Sequence, residues 1–112
     1  MIEIGDEALS AAINPLGAEL FVLRDAQGRD LLHDGNPDWW ASRAPLLFPI
    51  VGGLVKDRYR IGDQHYSLPR HGFARRQSFA VAEQSAAHVR FRLTDNDATR
   101  PVYSFAFRFD PA

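Results

Sequence analysis

Cysteine is absent from this sequence, and its charges almost cancel. Without cysteine the chain forms no disulfide and carries out no thiolate chemistry. Its 13 basic and 14 acidic side chains give a net charge of −1. A balance of this kind gives no electrostatic reason to expect binding to nucleic acid or to an anionic membrane surface.

Long apolar runs are lacking too. No stretch approaches the ~18 apolar residues that a membrane-spanning helix needs. The N-terminal run MIEIGDEAL carries acidic residues where a secretory signal has basic and apolar ones. The histidines outside one cluster show no metal-ligand spacing, so we predict no metal site. We also predict no cofactor, and a cytoplasmic location.

The sequence does contain short apolar segments, separated by turn residues about every eight to twelve positions. This pattern is typical of an all-β antiparallel sandwich. We predict strands over 8–13, 19–24, 30–33, 58–61, 64–68, 78–83, 88–93 and 102–109, and an interrupted strand over 45–51. Gly62 and Asp63 are expected to form a type II′ hairpin turn. In strand 88–93 we expect Val89, Phe91 and Leu93 on the buried face.

The segment 68–75, LPRHGFAR, places His71 between arginines at a point where a strand pattern stops. Histidine and arginine donate hydrogen bonds to closely spaced hydroxyls and tolerate partial burial. Gly72 allows a ligand or another backbone segment to approach closely. From the residues alone, the segment is either a solvated basic turn or part of a binding site.

Four sequence blocks follow one another along the chain: NPLGAEL at 14–20, a loop with Trp39 and Trp40, PLLFPIVG at 45–52, and LPRHGFAR at 68–75. Together they resemble the aldose 1-epimerase (galactose mutarotase-like) family, nearest to the branch of hexose-6-phosphate mutarotases and LacX-type proteins. The resemblance runs from about Ala11 to the end of the chain and implies an antiparallel β-supersandwich. Because members of this family are much longer, we expect residues 1–112 to be the N-terminal part of a single incomplete domain.

The resemblance also implies a reaction, namely the interconversion of the α and β anomers of a hexose or hexose phosphate. It matches His71 to a sugar-binding histidine and Arg75 to an arginine that lines the pocket and contacts phosphate in the phosphosugar branch. Many relatives carry a further arginine where Gly53 stands here, and Arg58 is the nearest substitute. The family's catalytic histidine and glutamate lie downstream of residue 112, so this chain alone is expected to be inactive.

Other interpretations stay open for individual residues. His71 fits a histidine at the edge of the core that is bound to a carbonyl, and Arg75 or Arg76 fits an ordinary surface ion pair. Trp39 and Trp40 form either an apolar lid on the sheet or a platform on which a sugar stacks.

Two functions compete with the isomerase. One is a non-catalytic carbohydrate-binding module with a preformed groove. The other is a structural fragment that associates with itself through unpaired strand edges.

Overall fold

A computed structural model describes residues 1–33, Asn36, Asp38 and 42–111. Eight strands occur in this part of the chain: β1 (Ile2–Gly5), β2 (Leu9–Asn14), β3 (Glu19–Asp25), β4 (Arg58–Ile61), β5 (Gln64–Ser67), β6 (Ala80–Gln84), β7 (Val89–Thr94) and β8 (Arg108–Phe109). Two single-turn 3-10 helices, Val55–Asp57 and Ala74–Arg76, precede β4 and β6. Among these residues no helix is long and apolar enough to cross a membrane, and no cluster of three or more metal-ligating side chains occurs.

All strand pairs are antiparallel, which confirms the all-β fold class. The strands form three small sheets in the orders β1-β2-β3, β4-β5 and β6-β7-β8. In the second sheet Ile61 pairs with Gln64, and Gly62 between them has a φ of 58°. A positive φ at the first central residue is what a II′ turn requires. Residues 89, 91 and 93 face inward as predicted, since Phe91 and Leu93 are buried and Val89 packs against the core.

Three strand predictions were wrong or too long. Segment 30–33 makes only a single bridge, Asp30 to Arg24, before it leaves the sheet. Of segment 102–109, only the last two residues before Asp110 pair as a strand. Segment 45–51 is not a strand, and its one bridge joins Phe48 to Gly72. The sequence pattern also missed β1, where Ile2 and Ile4 pair with Ile13 and Ala11.

The aromatic ring of Phe48 packs against the core and contacts several other aromatic rings. It stacks on Phe109 with ring centroids 4.4 Å apart, and Phe107 lies at 5.2 Å. Phe73 packs edge-on at 6.1 Å. Each such pair adds about 0.5–1.5 kcal/mol beyond the apolar area it buries. The apolar run 45–51 is therefore a half-buried packed segment that ends at the exposed Val51, and this packing holds Phe48 against the LPRHGFAR block.

Candidate functional site

The backbone of Phe48 is hydrogen-bonded to the LPRHGFAR block. Its carbonyl oxygen accepts hydrogen bonds from the N–H of Phe73 over 2.9 Å and from the N–H of Ala74 over 3.2 Å. Gly72 lies between them in the left-handed region, with φ 73°. A Cβ atom on Gly72 would collide with the Phe48 carbonyl oxygen. Only glycine permits this approach, which brings two blocks far apart in the sequence together.

His71 is fixed by two reciprocal bonds to Gly52. Its main-chain N–H donates to the Gly52 carbonyl oxygen over 2.9 Å, and the Gly52 N–H donates to the ring Nδ1, also over 2.9 Å. Because Nδ1 accepts this bond, the neutral ring carries its proton on Nε2. The ring is half-buried, and Nε2 has no hydrogen-bond partner among the described residues. The neutral His71 ring thus keeps one N–H donor that no described residue accepts.

Arg75 lies in the 3-10 helix Ala74–Arg76, not in a strand, and is half-buried while Arg76 is exposed. Its Nη2 donates to the carbonyl oxygen of Arg70 over 3.3 Å. Its Nε is buried without a partner in the described structure. A buried guanidinium N–H with no acceptor costs free energy, so the Nε of Arg75 is a locally unfavourable feature of this helix.

Gly17 in the NPLGAEL block packs directly on the backbone of Arg75. A Cβ atom there would lie 2.7 Å from the Arg75 carbonyl oxygen, and Gly17 has φ 75°. The Gly17 N–H also donates to the carbonyl oxygen of Gln77 over 2.7 Å. The blocks NPLGAEL, PLLFPIVG and LPRHGFAR therefore converge on one place in the fold.

A profile of the aldose 1-epimerase family matches residues 1–110. The chain belongs to the aldose 1-epimerase family. It is 32% identical over 111 residues to the chromosomal LacX protein of Lactococcus lactis subsp. lactis, which covers 95% of this chain and 37% of LacX. The chain therefore spans little more than a third of the length of this relative.

Two solved structures of mutarotase-like proteins superpose closely on this aldose 1-epimerase family chain. A galactose mutarotase related enzyme from Lactobacillus acidophilus has a TM-score of 0.94 at 36% identity, covering 97% of this chain and 37% of its own. A galactose mutarotase-like protein from Lactobacillus casei has a TM-score of 0.92 at 34% identity, covering 96% and 37%. These values establish the mutarotase-like fold for the matched region.

The structure does not bring the other predicted site residues into contact with His71 and Arg75. Arg58 is exposed at the start of β4 and makes no hydrogen bond or ion pair with His71 or Arg75. Trp39 and Trp40 lie outside the described residues, so their two interpretations stay predictions. Five surface cavities of about 140 to 410 Å³ do not include His71 or Arg75 in their linings.

Arg70, which its place in a basic loop predicts to be solvated, makes no side-chain hydrogen bond or ion pair with the described residues. The side chain is exposed, yet its guanidinium lies against Gly53. A Cβ atom on Gly53 would stand 3.3 Å from Nη2 of Arg70 and 3.5 Å from its Cζ.

Proposed function

We propose that residues 1–112 hold the sugar in an aldose 1-epimerase-type isomerase, which interconverts the α and β anomers of a hexose or hexose phosphate. Membership of the aldose 1-epimerase family supports this kind of function. The single observation that carries the proposal is the orientation of His71. Its ring is held by the Gly52 N–H, so that Nε2–H is left to donate to a sugar oxygen.

The chemistry explains why a fixed donor is useful. A base removes the proton of the C1 hydroxyl while an acid protonates the ring oxygen, so that the C1–O5 bond breaks and the open aldehyde forms. The C1–C2 bond then rotates, and the C5 hydroxyl closes on the other face of the carbonyl as the two protons return. The sugar must stay in register through this rotation, which hydrogen-bond donors fixed on the protein achieve.

In this proposal His71 and Arg75 bind sugar oxygens, and neither is the acid or the base. Nε2–H of His71 donates to the ring oxygen or to a neighbouring hydroxyl. Arg75 supplies a guanidinium donor from the same block. Arg58 is retained as a peripheral contact to a ligand, and Trp39 and Trp40 as stacking surfaces. The ligand is a small sugar or sugar phosphate.

The test is an NMR titration of the 112-residue chain with D-glucose, D-galactose and D-glucose 6-phosphate, following the ring protons of each histidine. We expect sugar-dependent shifts at His71 and none at His65 or His88, which are exposed on strand or turn positions. Long-range ¹H–¹⁵N spectra should show the Nε2–H tautomer. Unchanged His71 signals at saturating sugar would overturn the proposal.

The same samples separate an isomerase from a binding module. Exchange spectroscopy between the two anomer signals measures turnover. We expect binding by this chain without anomerisation above that of buffer. The same measurement on a chain of the length of LacX should show fast exchange if the protein is an isomerase, whereas binding without exchange there would identify a carbohydrate-binding module.

A further inference from the structure

The turn between β2 and β3 packs against the 3-10 helix that carries Arg75. Gly17 in this turn has φ 75°, and a Cβ atom on it would lie 2.7 Å from the carbonyl oxygen of Arg75, 3.1 Å from its Cα and 3.2 Å from its carbonyl carbon. All three atoms belong to the main chain, which cannot swing aside as the end of a flexible side chain can. Only glycine lets the two backbones lie this close.

Hydrogen bonds hold the same turn to the segment that follows the helix. The Gly17 N–H donates to the carbonyl oxygen of Gln77 over 2.7 Å, and the Phe79 N–H donates to the carbonyl oxygen of Pro15 over 2.9 Å. An antiparallel bridge lies between these two bonds. The turn and the segment 77–79 are therefore fixed to each other in one register.

The turn is also braced internally. Oδ1 of Asn14 accepts from the N–H of Leu16 over 3.1 Å, and the carbonyl oxygen of Pro15 accepts from the N–H of Ala18 over 3.2 Å. An asparagine that binds the backbone two residues further on stabilises a turn, and proline restricts φ within it. The turn is therefore a stiff support for the backbone of Arg75.

The two sugar-binding residues of the proposed function have separate supports. The ring of His71 is bonded to Gly52. The backbone of Arg75 lies against Gly17 instead. Its guanidinium reaches back toward the histidine, since Nη2 donates over 3.3 Å to the carbonyl oxygen of Arg70, the residue directly before His71. A shift of the Arg75 backbone would therefore move this guanidinium relative to the His71 ring.

We propose that Gly17 is a positioning residue of the sugar site and acts through Arg75. This inference rests on the proposed function, in which the Arg75 guanidinium donates to a sugar oxygen. A larger residue at position 17 displaces the backbone of Arg75, and with it the guanidinium, but leaves the His71 ring on Gly52. Because a hydrogen bond weakens steeply when its distance and angle depart from the optimum, this displacement lowers the affinity for the sugar.

The experiment is a double-mutant cycle on the affinity for D-glucose, D-galactose and D-glucose 6-phosphate, measured from the His71 shifts. For the sugar that binds most tightly, we expect Gly17→Ala and Arg75→Ala each to weaken binding ~10-fold, the loss of about one hydrogen bond from a charged donor. In the Arg75→Ala background, Gly17→Ala should weaken binding less than ~2-fold, because the two residues act on one contact. Long-range ¹H–¹⁵N spectra should show the Nε2–H tautomer of His71 in every variant.

Gly28→Ala is the matched control. Gly28 also has a positive φ, 78°, but a Cβ atom there meets nothing within 4 Å. We expect its sugar affinity to equal that of wild type. If Gly17→Ala does not fold, Asn14→Ala replaces it in the cycle, since it removes the side-chain acceptor that braces the turn. We expect a ~3-fold loss of affinity there, which also disappears in the Arg75→Ala background.

The outcomes separate this inference from the proposed function. If Arg75→Ala weakens binding and the turn variant does not, the positioning role of Gly17 is overturned and the sugar site stands. The same holds if the turn variant has an equal effect with and without the Arg75 side chain, or if Gly28→Ala weakens binding as much. If Arg75→Ala leaves binding unchanged, this inference fails together with the sugar-binding role of Arg75. If no sugar shifts His71, the inference and the proposed function both fail.

Discussion

Gly52 and His71 bond to each other twice, backbone to backbone and backbone to ring, over 2.9 Å in each case. This relationship gives His71 two tasks. It ties segment 45–52 to segment 68–75, and it fixes the tautomer and direction of the ring. The residue adopts φ 66° to do so, a left-handed conformation in which histidine and asparagine are enriched.

The conformation of His71 predicts how substitutions rank. His71→Asn should lose the ring bond to Gly52 and cost about 1 kcal/mol of unfolding free energy. His71→Val should cost about 1–3 kcal/mol more, because a β-branched side chain is strained at positive φ. Urea unfolding followed by circular dichroism measures both. Equal losses in the two variants would show that the backbone of His71 relaxes to another conformation.

The close approach of Gly72 to Phe48 can be tested with Gly28 as a matched control. Both have positive φ, 73° and 78°, so an alanine at either costs about 1–2 kcal/mol in conformation. A Cβ atom on Gly28 meets nothing within 4 Å, whereas on Gly72 it collides with the Phe48 carbonyl oxygen. We expect Gly72→Ala to lose about 3 kcal/mol or more, or to fail to fold. Similar unfolding free energies for the two variants would contradict the contact.

Local chemistry made part of this fold predictable. The Gly62-Asp63 turn and the alternation of Val89, Phe91 and Leu93 were correct, because turn type and strand period are properties of neighbouring residues. The run 45–51 was wrong as a strand. A continuous apolar run does not distinguish a buried strand from an irregular segment that packs against the core.

The contacts that connect the candidate site residues could not be predicted from the sequence. His71 and Arg75 came from the resemblance of the LPRHGFAR block. The bond from Gly52 spans 19 residues, and the approach of Gly17 to Arg75 spans 58 positions of the sequence. No local periodicity records contacts of this kind.

Thr99 lies in the turn between β7 and β8, and its hydroxyl is hydrogen-bonded to the backbone of that turn. The residue is fully buried. Its Oγ1 accepts from the N–H of Asn96 over 2.9 Å and donates to the Asn96 carbonyl oxygen over 3.2 Å. The Asn96 carbonyl oxygen also accepts from the main-chain N–H of Arg100 over 3.0 Å, so Thr99→Val keeps the shape and leaves only the Asn96 N–H without its acceptor, at a cost of about 1–3 kcal/mol.

Thr99→Ser is the matched control because it keeps the hydroxyl and removes one methyl group. We expect it to cost about 1 kcal/mol, less than the valine variant, in the same urea experiment. A serine variant less stable than the valine variant would mean that packing of the methyl group, and not the hydroxyl, stabilises this turn.

Asp110 links β7 to β8 and should make the stability of the protein depend on acid pH. Its carboxylate accepts two hydrogen bonds from Arg92, over 2.9 and 3.1 Å, and another from Nη2 of Arg108 over 2.9 Å. The hydrogen bonds from Arg92, followed by those from Arg108, hold the pKa of Asp110 well below its usual range. The pKa of Asp95 is also lowered, first by the main-chain N–H of Phe107.

A carboxyl group with a depressed pKa in the folded state binds fewer protons there than in the unfolded state. Its contribution to stability is complete above the unfolded pKa of about 4 and is lost as the pH falls from there toward the folded value. We therefore expect the free energy of unfolding to decrease between about pH 5 and pH 2.

Asp110→Asn should be less stable than wild type at pH 7 and should show a weaker dependence on pH in this window. Asp63→Asn, in a turn and without an ion pair among the described residues, controls for the loss of one negative charge. An Asp110→Asn variant with the wild-type pH dependence would show that the strand linkage does not rest on this carboxylate.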